Sequence, residues 1–236
     1  MKKFGMLICI VLVIVLLFQS EIVTPEKALD WTEQGLIWTI DRLSELLGLV
    51  GSRTSAGSVD TSSVLLVNAD NPLPEDYSPD TLVCLYDEER SFQLARADFY
   101  LTRETFEAAN RMFAAAKEAG LDGYIITSAY RDRAEQQKIF DESEPGLAQK
   151  PGCSEHETAL AFDVTVRRDS GEFEDTPHCQ WLLAHCHEYG FIQRYPEGKE
   201  SITGIAYEPW HYRYVGEELA REIHALGCTL EEYLNQ

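Results

Sequence analysis

The chain has 236 residues, enough for one sizeable domain and a short targeting segment. Apolar residues make up 44% and charged residues 25% of it, which is typical of a globular protein and not of a disordered one. Its 40 acidic residues outnumber the 20 basic ones and leave a formal net charge of -20. Nucleic-acid binders need a basic face that displaces counterions, so the composition argues against a nucleic-acid partner.

An apolar segment follows two lysines at the N-terminus. It runs from Phe4 to Phe18, about 15 residues or roughly 22 Å as a helix, which is short for the ~30 Å hydrocarbon core of a bilayer. This pattern is typical of an export signal, but no Ala-x-Ala-like cleavage site follows it. We expect residues 1–20 to be an uncleaved signal anchor that enters the membrane through residues 4–18. The rest of the chain would then lie outside the cytoplasm, as a single-pass cell-membrane protein, or as a secreted one if the signal is cleaved.

Residues 21–63 join this segment to the remainder of the chain. Apolar residues recur at helical spacing between residues 30 and 50, which predicts an amphipathic helix. Residues 51–63 are small and polar, as in a linker. We expect one domain over residues 64–236, and the sequence leaves its oligomeric state open.

Short strands and helices are mixed in residues 64–236 without a regular βαβ repeat, which indicates the α+β class. Helices are expected from Thr102 to a C-cap at Gly120 and in three later segments. Those segments are residues 134–140, 181–189 and 217–225. The predicted strands are residues 64–67, 124–127, 160–166 and 210–215.

Residues 154–163 carry the first candidate metal ligands, His156 and Asp163. In the predicted strand, alternation puts Phe162 and Val164 on one face and Asp163 on the other. A buried carboxylate is costly unless it is paired or binds a metal. The alternative is a surface aspartate on a half-exposed strand, and a single histidine is more often structural than a ligand.

Residues 208–213 carry the second candidate group, Glu208 and His211, with Pro209 between them excluding a helix interior. Two imidazoles, one carboxylate and one further acid make up a catalytic zinc site, with three ligands, an open position for water and a general base. Alternatively, Glu208 is a solvated turn residue. Taken together, the two segments predict a metal-dependent hydrolase.

A rival group of histidines and cysteines lies at residues 178–187. His185 and His187 do not share a helix face, so core packing is favoured there over a metal site. Five cysteines lie outside the apolar segment, in what would be an oxidising compartment. Cys179 and Cys186 would be about 10 Å apart on one helix, too far to pair with each other. A disulfide from one of them to Cys153 is a hypothesis.

The candidate segments resemble motifs of the VanY-like D-alanyl-D-alanine carboxypeptidases, zinc peptidases of family M15. The family pattern Ser-x-His-x-x-Gly-x-Ala-x-Asp corresponds to residues 154–163, and Glu-x-x-His corresponds to residues 208–211. Further blocks in family order lie at residues 65–74, 128–131, 190–196 and 207–216. The resemblance covers residues 64–236 and implies a small antiparallel sheet with flanking helices.

The resemblance implies one Zn²⁺ per chain, bound by His156, Asp163 and His211, with Glu208 as the general base. It also implies that the substrate is a peptidoglycan stem peptide, from which the enzyme removes the terminal D-alanine. It implies Arg131 as a contact of both the substrate and the transition state. It also implies Ser154 and Gln137 as substrate contacts.

Other activities on the same stem peptide stay open, because ligands do not separate an L,D-carboxypeptidase, a D,D-dipeptidase or an endopeptidase. A non-catalytic cell-wall-binding module is a further alternative, against which the intact Glu208 argues. Two positions depart from the family pattern. Ala159 replaces the family glycine and would be strained if φ is positive there. Glu157 stands where glutamine is common and adds a negative charge beside the site.

Overall fold

The computed structural model describes residue 61 and residues 64–143, 148–168 and 170–235. The predicted signal anchor, the amphipathic helix and nearly all of the predicted linker lie outside these residues. Within the described ranges, no helix is long and apolar enough to cross a bilayer.

Short strands in the described residues form two sheets. The strands are β1 (Leu82–Cys84), β2 (Gln93–Leu94), β3 (Tyr100–Thr102), β4 (Tyr124–Ser128), β5 (Ala161–Val166), β6 (Phe191–Gln193) and β7 (His211–Tyr214). The larger sheet has the order β2-β4-β5-β7-β6, so β5 lies at its centre, antiparallel to both β4 and β7. Strands β1 and β3 form a separate antiparallel pair.

The prediction of a small sheet with flanking helices is confirmed, with two corrections. The sheet is not wholly antiparallel, because β2 runs parallel to β4. The predicted strand at residues 64–67 is wrong, because these residues lie in no strand. There the carbonyl of Leu65 accepts a hydrogen bond from the Arg213 guanidinium at 2.7 Å, not from a neighbouring strand. The other three predicted strands are found as β4, β5 and β7.

Helices flank the larger sheet. They are α1 (Arg103–Glu118), α2 (Arg133–Glu142), α3 (Pro177–His185), α4 (Glu200–Thr203), α5 (Glu217–Leu226) and α6 (Leu230–Leu234). The predicted start of α1 is confirmed, since the Thr102 side chain accepts a hydrogen bond from the Thr105 amide. The predicted helix over 181–189 divides into α3 and a 3-10 turn that ends at Gly190, where φ is 87°. A Cβ at Gly190 would lie 2.6 Å from the Tyr214 ring, so this close approach requires glycine.

The apolar core packs on one face of the larger sheet. Phe162 and Val164 point into it from β5 and are fully buried, as strand alternation predicts. The ring centroid of Phe162 lies 5.8 Å from that of Phe113 on α1 and 5.3 Å from that of Phe191 on β6. This packing fixes β5 and therefore the residues on its other face.

The five cysteines of the described residues are all free. Cys179 and Cys186 are buried in the apolar core, whereas Cys153 lies in the loop that precedes the candidate site. The hypothesised disulfide from Cys153 to either of them is therefore not formed in this structure.

Candidate metal centre

His156, Asp163 and His211 come together at the centre of the larger sheet. Each offers one ligand atom, and the three atoms lie within 4.8 Å of one another. Asp163 on β5 and His211 on β7 are directly opposed partners in the sheet. His156 comes from a 3-10 turn, Glu155–Thr158, that precedes β5, so the chain turns between the first two residues as expected. No second group of this kind occurs among the residues described.

Each imidazole turns one nitrogen toward the same carboxylate. His156 Nε2 lies 3.3 Å from Asp163 Oδ2, and His211 Nδ1 lies 2.9 Å from Asp163 Oδ1. The other nitrogen of His156, Nδ1, lies 2.8 Å from the Ala129 carbonyl oxygen. Because a carbonyl only accepts hydrogen bonds, Nδ1 of His156 carries the proton and Nε2 is left as the free ligand atom.

Charge in the cluster is concentrated on buried groups. Burial alone would raise the pKa of Asp163, but His156 and His211 hold it well below its ordinary value. Burial alone would lower the pKa of His211, but hydrogen bonds to Asp163 and Glu155 raise it to about 9. Two imidazoles and one ionised carboxylate can share a proton, and the same three groups can act as the ligands of a divalent cation.

The turn that carries His156 depends on an unusual residue, Ala159. It has φ 58° and ψ 19°, and it is the single non-glycine residue with positive φ among those described. Its amide donates to the His156 carbonyl at 3.3 Å, and its own carbonyl accepts from the Thr102 amide at 3.1 Å. The expected strain at the family glycine position is therefore present, and hydrogen bonds on both sides hold it.

Glu208 lies beside the cluster but does not belong to it. Its Oε2 is 3.8 Å from His211 Nδ1, and its side chain is 27% exposed, whereas that of His211 is 4% exposed. Burial raises the pKa of Glu208, and the charge of His211 opposes this effect. A carboxylate with a raised pKa and access to solvent is suited to accept a proton from water.

Arg131 follows β4 in a turn that also supports His156. Two residues of the turn contact His156, since the Ala129 carbonyl accepts from its ring and the Arg131 amide donates to its carbonyl at 3.2 Å. The Arg131 guanidinium donates from Nη1 to Ser128 Oγ at 3.3 Å, and its Nε is buried without a partner. Burial lowers the pKa of Arg131, and the nearby carboxylates, Asp163 first, oppose this. The guanidinium therefore has hydrogen-bonding capacity that the described residues do not use.

A cleft of ≈ 530 Å³ opens beside Asp163. Pro209 and Trp210, from the segment between Glu208 and His211, form part of its wall. Trp210 is 41% exposed although it stands next to a buried ligand. Of the three cluster residues, Asp163 alone lines this cleft.

The remaining predicted contacts, Ser154 and Gln137, lie in different surroundings. Ser154 is buried at the start of the turn that carries His156, and its hydroxyl does not cap that turn. Gln137 is exposed on α2, where its amide donates to Asp141 at 2.8 Å. Ser154 therefore lies within two residues of His156 on the same turn, and the substrate role of both Ser154 and Gln137 stays a prediction.

The two glutamates on either side of His156 differ in their contacts with the cluster. Glu157 accepts hydrogen bonds from the Gly152 amide at 2.6 Å and from Arg133 Nε at 3.0 Å, so its charge is already compensated. Glu155 is buried beneath His211, with Oε2 3.4 Å from Nε2 of that residue. Sequence reasoning missed Glu155, because it occupies an unspecified position of the Ser-x-His motif.

The rival group at residues 178–187 does not form a metal site in the described structure. Cys179 and Cys186 are buried in the apolar core, as expected. His187 instead stacks on His224, with ring centroids 3.6 Å apart. His185 pairs with Glu188 at 2.9 Å.

The first cluster does fit zinc by its chemistry. Two imidazole nitrogens and one carboxylate oxygen are a known ligand set of catalytic zinc sites, which leave one position open. The free nitrogens of both histidines face the carboxylate, and a half-buried acid stands next to them.

Comparison with known proteins gives consistent matches to one family. The profile of the VanY family, D-alanyl-D-alanine carboxypeptidase, matches residues 98–217. The putative carboxypeptidase YodJ of Bacillus subtilis is 38% identical over 72% of this chain and 66% of its own length. The bifunctional D-Ala-D-Ala dipeptidase and carboxypeptidase VanXYC of Enterococcus gallinarum is 35% identical over 73% of this chain and 93% of its own length.

Solved structures agree with these matches. The LD-carboxypeptidase LdcB superposes with a TM-score of 0.64 and 35% identity over 72% of this chain and 84% of LdcB. The vancomycin-resistance D,D-pentapeptidase VanY, solved in complex with Zn(II), gives a TM-score of 0.60 and 33% identity over 72% of this chain and 97% of VanY. The chain therefore belongs to the VanY family of D-alanyl-D-alanine carboxypeptidases.

Proposed function

We propose that this chain is a zinc-dependent carboxypeptidase that removes the terminal D-alanine from peptidoglycan stem peptides. The observation that carries the proposal is the cluster of His156, Asp163 and His211, with the Glu208 carboxylate 3.8 Å from the last of them. The Zn(II) complex of the related VanY structure supports the choice of metal. His156, Asp163 and His211 would hold one zinc ion, which when bound polarises the scissile carbonyl and lowers the pKa of water.

Glu208 is the group that moves protons in this proposal. Its raised pKa and partial exposure allow it to take a proton from the attacking water. The same carboxyl then gives the proton to the nitrogen of the departing D-alanine, and the amide C–N bond breaks. The second proton of the water passes from the new carboxyl group to the released amine, so that a carboxylate and an ammonium group are the products. Glu208 ends the cycle ionised, as it began.

Arg131 stabilises charge on the substrate. Its guanidinium has an unpartnered buried Nε and lies in the field of Asp163 and Glu208. A guanidinium offers two parallel donors to a carboxylate, or one to the oxyanion that develops on the scissile carbonyl. The first role favours a substrate whose terminal carboxylate lies close to the bond that is cut.

An L,D-carboxypeptidase is the second candidate, because the LdcB structure is as similar to this chain as the VanY structures are. A D,D-dipeptidase is a related candidate, since VanXYC carries both activities. All these enzymes would use the same ligands and base, so the cleft beside Asp163 must separate them. A non-catalytic wall-binding module is disfavoured, because such a protein has no use for a half-buried Glu208 beside the cluster.

We also propose that the catalytic domain lies outside the cytoplasm, attached to the membrane through residues 4–18. The support is the sequence pattern of two lysines followed by an apolar run. Stem peptides of the mature cell wall are found in that compartment. Fractionation of cells that express the full chain, followed by protease treatment of intact cells, tests this part of the proposal.

Mass spectrometry of reaction products tests the proposed specificity. The zinc-loaded chain is incubated separately with a stem pentapeptide ending in D-Ala-D-Ala, with the matching tetrapeptide, and with free D-Ala-D-Ala. We expect one D-alanine to be released from the pentapeptide only. Conversion of the tetrapeptide to a tripeptide would favour the L,D-carboxypeptidase, cleavage of the free dipeptide would favour the dipeptidase, and no cleavage of any of them would contradict the proposal.

A further inference from the structure

Glu155 occupies a buried position directly behind the metal cluster. It precedes His156 in the chain, and its side chain is completely buried. Its Oε2 lies 3.4 Å from Nε2 of His211. This is the ring nitrogen of His211 that faces away from Asp163, since Nδ1 is the atom 2.9 Å from Asp163 Oδ1. Glu155 therefore contacts a candidate ligand on the side opposite to the metal.

Two buried arginines hold the Glu155 carboxylate in place. Oε1 accepts a hydrogen bond from Arg194 Nε at 2.7 Å and another from Arg213 Nη1 at 2.8 Å. The Arg194 and Arg213 side chains are 0% and 1% exposed. With both donors on Oε1, the second oxygen, Oε2, is left to accept from the His211 ring. A carboxylate surrounded by donors is an acceptor and not a donor, so it selects the imidazole form with a proton on Nε2.

The two arginines are themselves anchored at points far from the cluster. Arg194 donates to Glu231 on α6, from Nη1 at 2.9 Å and from Nη2 at 2.5 Å. Arg213 donates from Nη2 to the Leu65 carbonyl at 2.7 Å. Glu155 is thus linked through Arg194 to α6 and through Arg213 to the start of the domain.

Other roles for Glu155 do not fit its surroundings. It does not belong to the group of ligand atoms within 4.8 Å of one another. It is also unsuited as a general base, because its side chain is 0% exposed, whereas that of Glu208 is 27% exposed. A buried ion pair alone would satisfy Arg194 and Arg213 but would not require Oε2 to face a histidine.

We infer that Glu155 is a positioning residue that fixes His211 in the tautomer presenting Nδ1 to the metal. The Ala129 carbonyl fixes His156 in the opposite tautomer, which presents Nε2. The two histidines therefore bind the metal through different ring nitrogens, each set by a different buried acceptor. The inference rests on the zinc site of the proposed function, and it adds a residue through which that site is preorganised.

Comparison of Glu155→Gln with Glu231→Gln tests the inference. In Glu155→Gln, the amide NH2 must face a donor, either the arginines or the His211 ring, so the Nε2–H tautomer loses its acceptor. Glu231→Gln is the matched control, because it also replaces a carboxylate that pairs with Arg194 but does not touch His211. Zinc dissociation constants are measured by competition with a chromogenic chelator, and stability is measured by urea unfolding of the metal-free proteins.

We expect Glu155→Gln to weaken zinc binding about 10- to 100-fold, the usual cost of losing a group that orients a metal-ligating histidine. Glu231→Gln should lower the stability and leave the zinc dissociation constant within about threefold of the parent value. Equal weakening in both variants would show that Glu155 acts only through general stability, and unchanged zinc binding in Glu155→Gln would also overturn the inference.

A measurement on the unaltered protein keeps the inference testable if Glu155→Gln does not fold. Two-bond ¹H–¹⁵N correlation spectra of the zinc-loaded parent chain report which ring nitrogen of each histidine carries a proton. We expect a proton on Nε2 of His211 and on Nδ1 of His156. A proton on Nδ1 of His211 would contradict the assignment. If the parent chain binds no zinc at all, the proposed function fails, whereas zinc binding with the wrong tautomer refutes only the role of Glu155.

Discussion

The two faces of strands β5 and β7 differ completely in chemistry although they alternate along the same backbone. Phe162 and Tyr212, opposed across the two strands, belong to the apolar core. One residue along each strand, Asp163 and His211 are opposed on the other face, where they form the candidate metal cluster with His156. A shift in register of one residue would exchange these faces, so the pairing of two strands determines both the core and the site.

The difference between the faces shows what each one requires. The apolar face is stabilised by the area that it removes from water and needs no specific partner. On the polar face, each buried charge needs a partner of opposite charge, because an unpaired one would be costly. Arg213, next on that face after His211, is compensated by Glu155 at 2.8 Å. The site is therefore stabilised by directional hydrogen bonds between charged groups, whereas the core is stabilised by the burial and packing of apolar side chains.

The largest expected effect comes from His211→Ala on the polar face. Removal of one of three ligands should lower zinc content, measured by atomic absorption after dialysis, from about one per chain to a small fraction of that. His178→Ala is the control, because His178 belongs to the rival group and should leave zinc content unchanged. Unchanged zinc stoichiometry in His211→Ala would remove this residue from the ligand set.

On the apolar face, Phe162→Ala should lower stability without removing the metal. The side chain is fully buried among Phe113, Phe191 and Tyr212. Its loss should cost about 3–5 kcal/mol in the free energy of unfolding, measured by urea denaturation. Under conditions where the variant is folded, zinc content should match that of the parent. A folded variant that has lost its zinc would show that the two faces are not independent.

Acid should weaken the ion pair between Glu231 and Arg194, which supports the polar face because Arg194 also pairs with Glu155. Burial alone would raise the pKa of Glu231, but Arg194 lowers it below its ordinary value of 4.5. A lowered carboxyl pKa contributes stability above pH 4.5, and this stability is lost as pH falls toward the lower value in the folded state. The difference in free energy of unfolding between the parent and Glu231→Gln should thus shrink below about pH 4.5. A constant difference between the parent and Glu231→Gln across this pH range would contradict the expectation.

The smallest expected effect is at the turn between the faces. Ala159→Gly removes the strain of a side chain at φ 58° but gives the unfolded chain more freedom. We expect a net gain of about 0.5–1 kcal/mol in the free energy of unfolding, with zinc affinity unchanged. A loss of stability would indicate that the methyl group contributes more by packing than it costs in strain.

Much of the site is readable from the sequence because its ligands lie in a local pattern. Strand alternation alone puts Asp163 opposite the core, and the resemblance assigns His156 and His211, which the structure places beside it. The positive φ of Ala159 follows from the same motif. These features depend on neighbours in the chain, and so the sequence carries them directly.

The features that were missed depend on partners distant in sequence. Glu155 has no signal of its own, since its role requires Arg194 and Arg213, 39 and 58 residues away. Strand β2 has only two residues, too few for a periodic pattern, and residues 64–67 look like a strand but have no strand to pair with.

The proposed function depends on Glu208 moving the proton at a zinc site that cleaves a stem peptide. A comparison of D-alanine release by the parent and by Glu208→Ala is the decisive test. Both proteins are loaded with zinc, their zinc content is measured, and release from a stem pentapeptide is followed by mass spectrometry. We expect equal zinc content in the two proteins and a rate in Glu208→Ala that is about 10²- to 10⁴-fold lower, the usual contribution of general acid–base catalysis. Release of D-alanine by Glu208→Ala at the parent rate would contradict this expectation.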